Sequence, residues 1–221
     1  MFVGEGRDHH VDLFAVSANG GPVTQVTFTA LLESRPQLTP TGEVVAFLRA
    51  RDPLPGQRRE VVVVNLLSYG EVVIALPDSA GQPESLAWSD NGSTLYVRTD
   101  RGLWQAAAPP AKASVTPVSP GDTAVADSAL NSWLGRPRFS RAISCVAGGV
   151  CAIGPIGDTA VLSVEGRGAM RWGNDSVAWF QNGGIVVRSL GPSHERVVTL
   201  KDGPDNPREA TFARGSISER P

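Results

Sequence analysis

The chain of 221 residues is short of several residue types, and each shortage narrows what it can be. Cysteine occurs only at Cys145 and Cys151, so stability must come from a buried core, which a chain of this length can supply without staples. Lysine occurs only at Lys112 and Lys201; the other basic residues are arginines, as expected of a GC-rich coding sequence. The formal charge of −2 excludes a general nucleic-acid binder. No apolar run reaches the length of a membrane-spanning helix, and the stretch Ala142 to Gly157, rich in glycine, reads as a hairpin. No Gly-x-Ser-x-Gly pentapeptide is present, and the length leaves no room for a separate hydrolase domain. Of the three histidines, His9 and His10 are neighbours that point to opposite faces of a strand, and His194 stands alone. Asp8 and Asp12 do not make a calcium loop, so no metal site is expected.

Glycine (24) and proline (17), by contrast, are plentiful, and they fall in a repeated turn signature. One copy is Trp88-Ser89-Asp90-Asn91-Gly92-Ser93-Thr94-Leu95-Tyr96-Val97, and another is Leu38-Thr39-Pro40-Thr41-Gly42-Glu43-Val44-Val45-Ala46-Phe47. Each reads as strand, tight turn, strand, because Asn, Asp and Gly accept the positive φ of such turns and Pro presets its own φ. Repetition at roughly 40–50 residues marks a β-propeller, in which each blade is a four-stranded unit.

Alternation and turn residues then predict the blades. The first has strands Arg35 to Thr39, Val44 to Arg49, Glu60 to Leu66 and Glu71 to Leu76, with the run Val61-Val62-Val63-Val64 buried on both faces. The second has Ser85 to Ser89, Thr94 to Thr99, Gly102 to Ala107 and Ser114 to Val118. An unpatterned polar loop, Ser119 to Ser132, follows. The third blade runs through Arg136 to Ser140, Ile143 to Val146, Val150 to Ile153 and Ala160 to Val164. The fourth has Ala169 to Trp172, Val177 to Phe180, Ile185 to Ser189 and Arg196 to Leu200. Arg208 to Phe212 looks like a first strand, and Phe2-Val3, Leu13 to Val16 and Thr24 to Thr27 look like the rest of the same blade. The expectation is one all-β domain over residues 1–221: a single propeller of about five four-stranded blades, its ring closed by N- and C-terminal strands sharing one blade, which removes open sheet edges. A piece of a longer propeller would show the same pattern.

In such a ring the first strands line the central channel. Arg35, Arg136, Arg138, Arg171 and Arg208 all lie in or beside first strands. Guanidiniums gathered at one mouth would bind carboxylate or phosphate groups in bidentate fashion, unless acids such as Glu33, Glu84 and Glu209 neutralise them. Acids on those strands are too few for a glycosidase pair. Trp88, Trp104, Trp172 and Trp179 fall on strands and read as core, whereas Trp133 follows the long loop and has the character of an interface anchor. The loop, Trp133, Arg136 and Arg138 together make a candidate contact surface. Asn91-Gly92-Ser93 and Asn174-Asp175-Ser176 match a glycosylation sequon, but tight turns account for both. Cys145 and Cys151 flank Val146-Ala147-Gly148-Gly149-Val150 and can face each other across a hairpin, where a disulfide is geometrically possible and would favour an oxidising compartment.

The segment Asp12 to Thr27, with Asn19-Gly20-Gly21-Pro22 and Val26-Thr27, resembles the "GGxxxxLT" strand pair of the TolB-type propeller repeat. Glu33 to Phe47 and Glu84 to Tyr96 resemble its "PxwSPDGxxiaf" partner, and the match fades after about residue 100. The resemblance implies a propeller that carries no catalytic group in its repeats, a periplasmic or extracellular location, and a face that holds partners. The chain itself opens into Met1-Phe2-Val3 without a secretory leader, which leaves the cytoplasm as the alternative. The functional expectation is a non-catalytic binding or scaffolding module for a protein partner, with no cofactor. Two alternatives stand beside it: an accessory subunit of a larger, membrane-bound complex, which would bring the chain to the membrane only peripherally, and the propeller portion of a hydrolase.

Overall fold

The computed structural model describes the chain except for residues 7, 18, 51–56, 109–113, 133–141, 147–149, 155–159, 164–166, 173–175, 182–183, 190–194 and 211–221. Over residues 131–132, 142–146, 150–154, 160–163, 167–172, 176–177, 188–189, 195–196, 205–206 and 208–210 it describes the backbone alone. Backbone contacts divide the chain into two units, Met1–Leu31 with Asn131–Ala210, and Leu32–Leu130.

In chain order the strands are β1 (Phe2–Glu5), β2 (Val11–Ala15), β3 (Gly21–Pro22), β4 (Thr24–Gln25), β5 (Leu32–Leu38), β6 (Val44–Ala50), β7 (Arg59–Asn65), β8 (Glu71–Ile74), β9 (Pro83–Trp88), β10 (Thr94–Thr99), β11 (Gly102–Ala107) and β12 (Val115–Pro117). A helix, α1 (Thr123–Ser132), follows. Then come β13 (Ala142–Val146), β14 (Val150–Gly154), β15 (Ala160–Ser163), β16 (Arg167–Trp172), β17 (Ser176–Gln181), β18 (Gly184–Ser189), β19 (Glu195–Lys201) and β20 (Asp205–Ala210). The described strands form sheets ordered β5-β6-β7-β8, β9-β10-β11-β12, β13-β14-β15, β16-β17-β18-β19-β3 and β20-β1-β2-β4. All pairings are antiparallel except β19 with β3.

The repeated turn signature builds the same device twice. The Thr39 hydroxyl accepts from Val44 N at 3.2 Å, Thr39 N donates to Val44 O at 2.8 Å, and Gly42 N returns to Thr39 O at 2.9 Å. In the next sheet Ser89 Oγ accepts from Thr94 N at 3.0 Å, Ser89 N donates to Thr94 O at 2.9 Å, and Gly92 N returns to Ser89 O at 2.9 Å. Both glycines take left-handed φ, 77° and 71°, which costs a side-chain-bearing residue but not glycine. Asn91 Oδ1 accepts from Ser93 N, Ser93 Oγ and Ser89 Oγ, so its place in a turn is fully explained by the turn.

In the second unit, Val61 to Val64 of β7 are at most 4% exposed, as the uninterrupted valine run predicts. One side of this sheet packs Ala46, Leu48, Val61, Val63 and Ile74 onto Leu86, Trp88, Leu95, Val97 and Ala106 of the neighbouring sheet. Trp88 crosses between them, its indole N–H donating to Gln37 O at 2.9 Å. In the first unit, Phe2 and Phe14 pack with Ala178, Phe180, Ile185, Val187 and Val198.

The reading of Ser119 to Ser132 as an unpatterned loop is corrected: Thr123–Ser132 is helical. Ala126, Ala129 and Leu130 are buried against Ala87 and Tyr96, on the face of the β9–β12 sheet opposite Trp88. Their i, i+3, i+4 spacing is that of a helical stripe, built mostly of alanine and therefore weak as a sequence signal. Arg98 of β10 holds the helix through Asp127 Oδ1 at 2.5 Å.

The strand from the C-terminal part and the first strand do meet. β20 pairs with β1, with Phe2 opposite Ala210, Val3 opposite Arg208 and Glu5 opposite Asp205. Gly4 permits the close approach of the connecting segment, because a Cβ there would collide with the Pro204 ring. Cys145 and Cys151 stand directly opposite each other between β13 and β14. Removing residues 205–221 should expose the β1 edge and lower the melting temperature by roughly 5–10 °C, or cause aggregation. An unchanged melting curve by circular dichroism would show that β20 contributes nothing to the first unit.

Candidate functional site

Arg35 is a first-strand arginine with an unusual backbone. It has φ 56°, a left-handed conformation at a residue that is not glycine, and such a conformation costs about 1–2 kcal/mol. It sits at a β-bulge, where the β5–β6 register shifts between Ser34 and Gln37. The following Pro36 is buried and disfavours the right-handed helical region for Arg35.

The bulge has a clear structural effect. On one side of it Gln37 lies opposite Ala46; on the other Ser34 lies opposite Leu48 and Glu33 opposite Arg49. Without the extra residue, Glu33 would face Ala50 and its side chain would leave the Arg49 face, since a slip of one exchanges faces. The bulge therefore delivers Glu33 to Arg49. Both are buried, at 2% and 5% exposure. Arg49 Nε and Nη2 donate to Glu33 Oε1 at 3.2 and 3.0 Å, while Nη1 and Nη2 grip Glu71 Oε1 and Oε2 at 2.6 and 2.8 Å. The guanidinium carbon lies 5.2 Å from the centre of the Phe47 ring. Hydrogen bonds from Arg49 hold the Glu71 carboxyl below its ordinary range, against the opposing effect of its partial burial. Sequence reasoning named Glu33 as a neutralising acid but missed Arg49. The available signal was the alternation Val45, Phe47, Arg49, which puts the arginine on the apolar face of β6.

The other expected site residues divide by location. Arg171 lies on β16 opposite Val177, and Arg208 lies on β20 opposite Val3. These two strands run beside each other within the first unit. Trp133, Arg136 and Arg138 lie outside the described residues. Ala126, Ala129 and Leu130 of α1 are taken up by packing; among its described side chains Ala124 and Val125 are exposed. Among the described residues no group of three or more His, Cys, Asp or Glu is arranged to hold a metal.

A second buried charge organises the first unit. Asp12, fully buried on β2, accepts from Gln25 Nε2 at 3.0 Å, Thr29 N at 3.1 Å and Thr27 Oγ1 at 3.4 Å. Thr27 Oγ1 in turn accepts from Leu13 N at 2.9 Å. Thr27 closes the segment that carries the TolB-type resemblance, so this motif position is a structural tie. Burial pushes the Asp12 carboxyl above its ordinary range, and the hydrogen bonds from Thr29, Thr27 and Gln25 only partly offset that effect.

No family model matches the chain, and no curated protein matches it. Solved structures do. A chain of the nidogen/laminin complex matches with a TM-score of 0.56 at 12% identity, over 90% of this chain and 92% of that one. TolB from Acinetobacter baumannii matches at 0.41 and 13% identity, over 90% of this chain and 52% of that one. A putative TolB from Agrobacterium tumefaciens matches at 0.42 and 11% identity, over 89% and 59%. This chain thus spans about half to three-fifths of those TolB chains. The nidogen/laminin likeness shows the fold: strands in four-stranded sheets of the β-propeller kind.

Because its pKa is raised in the folded state, ionised Asp12 lowers stability. Its contribution is full below the unfolded value of about 3.9 and is lost as pH rises through the folded value. Asp12→Asn should remove that part of the pH dependence and be at least as stable as wild type at pH 7. Asp12→Ala orphans Thr29 N and the Thr27 hydroxyl and should cost about 1–3 kcal/mol. Urea denaturation between pH 4 and 8 measures both; an Asn variant less stable than the Ala variant contradicts this account.

Proposed function

We propose that the chain is a non-catalytic β-propeller of about five blades, one domain closed where β20 meets β1, that holds a protein partner at the first strands of its blades. Arg35, Arg171 and Arg208, with Arg136, Arg138 and Trp133 from the stretch after α1, are the residues that would make the contact. Arginine suits this role because its planar fork pairs with carboxylates in bidentate fashion.

The observation that carries the reading is Arg35. Its left-handed backbone would be met without strain by glycine, yet an arginine stands there. Strained backbone at a side chain of strong binding chemistry is a mark of function. A neighbour of the same fold was solved within a protein–protein complex, which supports a protein as the partner class. An exported location is part of the proposal, supported by the TolB-type resemblance and by the facing cysteines.

Arg35→Gly separates the two roles of this residue. Glycine keeps the bulge and the Glu33–Arg49 register, so stability should stay within about 1 kcal/mol of wild type or rise. Affinity capture from the native source should recover a stoichiometric protein with wild type. Arg35→Gly and Arg208→Glu should each reduce its recovery at least fivefold; recovery unchanged by both places the contact elsewhere. For the compartment, peptide mapping without reduction of the native protein should find Cys145 joined to Cys151. Two alkylatable thiols there would argue for the cytoplasm.

A further inference from the structure

Seven large apolar side chains remain well exposed among the described residues, and four of them, Leu67, Tyr69, Val72 and Val73, lie on the β7–β8 hairpin. The turn that presents them is firmly built. Asn65 Oδ1 accepts from Leu67 N at 2.9 Å and Ser68 N at 3.0 Å, and Asn65 N donates to Gly70 O at 3.0 Å. Val72 and Val73 are neighbours on β8 and so face opposite sides of the sheet; they are 40% and 47% exposed.

β8 is also the outermost strand of its sheet. Exposed edges invite pairing, and proteins blunt them with proline, charge, shortness or a cover. Other edge strands with described side chains carry such devices: β5 has Arg35 and Pro36 at its bulge, and β9 opens with Pro83 and Glu84. β12 is three residues long and ends in Pro117. β4 has two residues, Thr24 and Gln25. β19 carries Glu195, Arg196 and Lys201 and is met by β3 at its last two residues, with Leu200 opposite Gly21 and Lys201 opposite Pro22. β8, of four residues, has no proline and, among the described residues, no covering strand. Its one charge, Glu71, is already held by Arg49 at 2.6 Å, and Val72-Val73-Ile74-Ala75-Leu76 continues without another.

We propose that β8 pairs edge to edge with β8 of a second copy of this chain, antiparallel across a two-fold axis at Val73, which lies opposite itself because opposed residues must share a face of the sheet. The strand is complementary to itself in that register. Val73 meets Val73 of the copy, Val72 meets Ile74 and Glu71 meets Ala75, with no like charges opposed. Two-fold pairing closes the assembly as a dimer, and the partner covers the apolar turn as well as the open edge. A foreign strand would need the same uncharged, β-branched character; the copy supplies it at the concentration of the protein itself.

Sedimentation velocity of the full chain from 1 to 100 µM tests this. The expected result is a concentration-dependent monomer–dimer equilibrium, with amide exchange at residues 71–74 slowing as the dimer forms. Val73→Lys and Val72→Lys/Val73→Lys should shift the dimer dissociation constant at least tenfold toward monomer, with an unchanged melting curve. Val125→Lys, on the exposed side of α1, should leave it unaltered. A monomer at every concentration, a dimer that survives the double variant, or exchange at 71–74 that does not respond to concentration overturns the proposal.

Discussion

Arg49 imposes the constraint on which its sheet depends. A guanidinium cannot shed its charge when buried, so every donor must be satisfied by the surrounding protein. Two acids from different strands do this, Glu33 on β5 and Glu71 on β8. The demand for Glu33 sets the bulge, the bulge sets the left-handed Arg35, and the pull on Glu71 draws the outermost strand's only charge inward. A slip of one residue in β5 would strand the arginine opposite Ser34, at a cost of several kcal/mol for an uncompensated buried charge. The ion pair thus specifies register in a sheet whose valines alone would tolerate alternatives.

A second constraint is that central strands with apolar residues on both faces need cover on both sides. The β9–β12 sheet obtains it from the β5–β8 sheet on the Trp88 side and from α1 on the Ala87 and Tyr96 side. In the first unit Phe2 stacks on Phe14 of its own sheet at 5.9 Å and meets Phe180 of another sheet edge-on at 5.8 Å. Edges are handled strand by strand: β20 completes β1, and β3 extends β19. Among the described residues β8 keeps an apolar edge, with Val72 and Val73 exposed.

At Arg35 the architecture coincides with the proposed contact role. The residue is needed for its backbone, because the bulge aligns an ion pair, and its side chain points to binding chemistry. Glycine could satisfy the first requirement alone, which is why the pairing of a left-handed backbone with an arginine carries weight for a contact role.

Local chemistry was legible from the chain. Turn residues with fixed offsets announced the hairpins at Thr39 and Ser89, because their hydroxyl and glycine networks close within six residues. The valine run of β7 and the pairing of β20 with β1 could also be read, since apolar patterning and strand-like stretches are properties of the sequence. What it left undecided lies beyond a single strand. The helix after β12 is stabilised less by its alanines than by the sheet face that they fill. The bulge that turns Glu33 toward Arg49 is decided by a charge sixteen residues away. Asp12 is buried because Gln25, Thr27 and Thr29 fold over it. Sequence encodes such partners without naming their distance, and only tertiary packing, by removing water from a charge, decides which of them must meet.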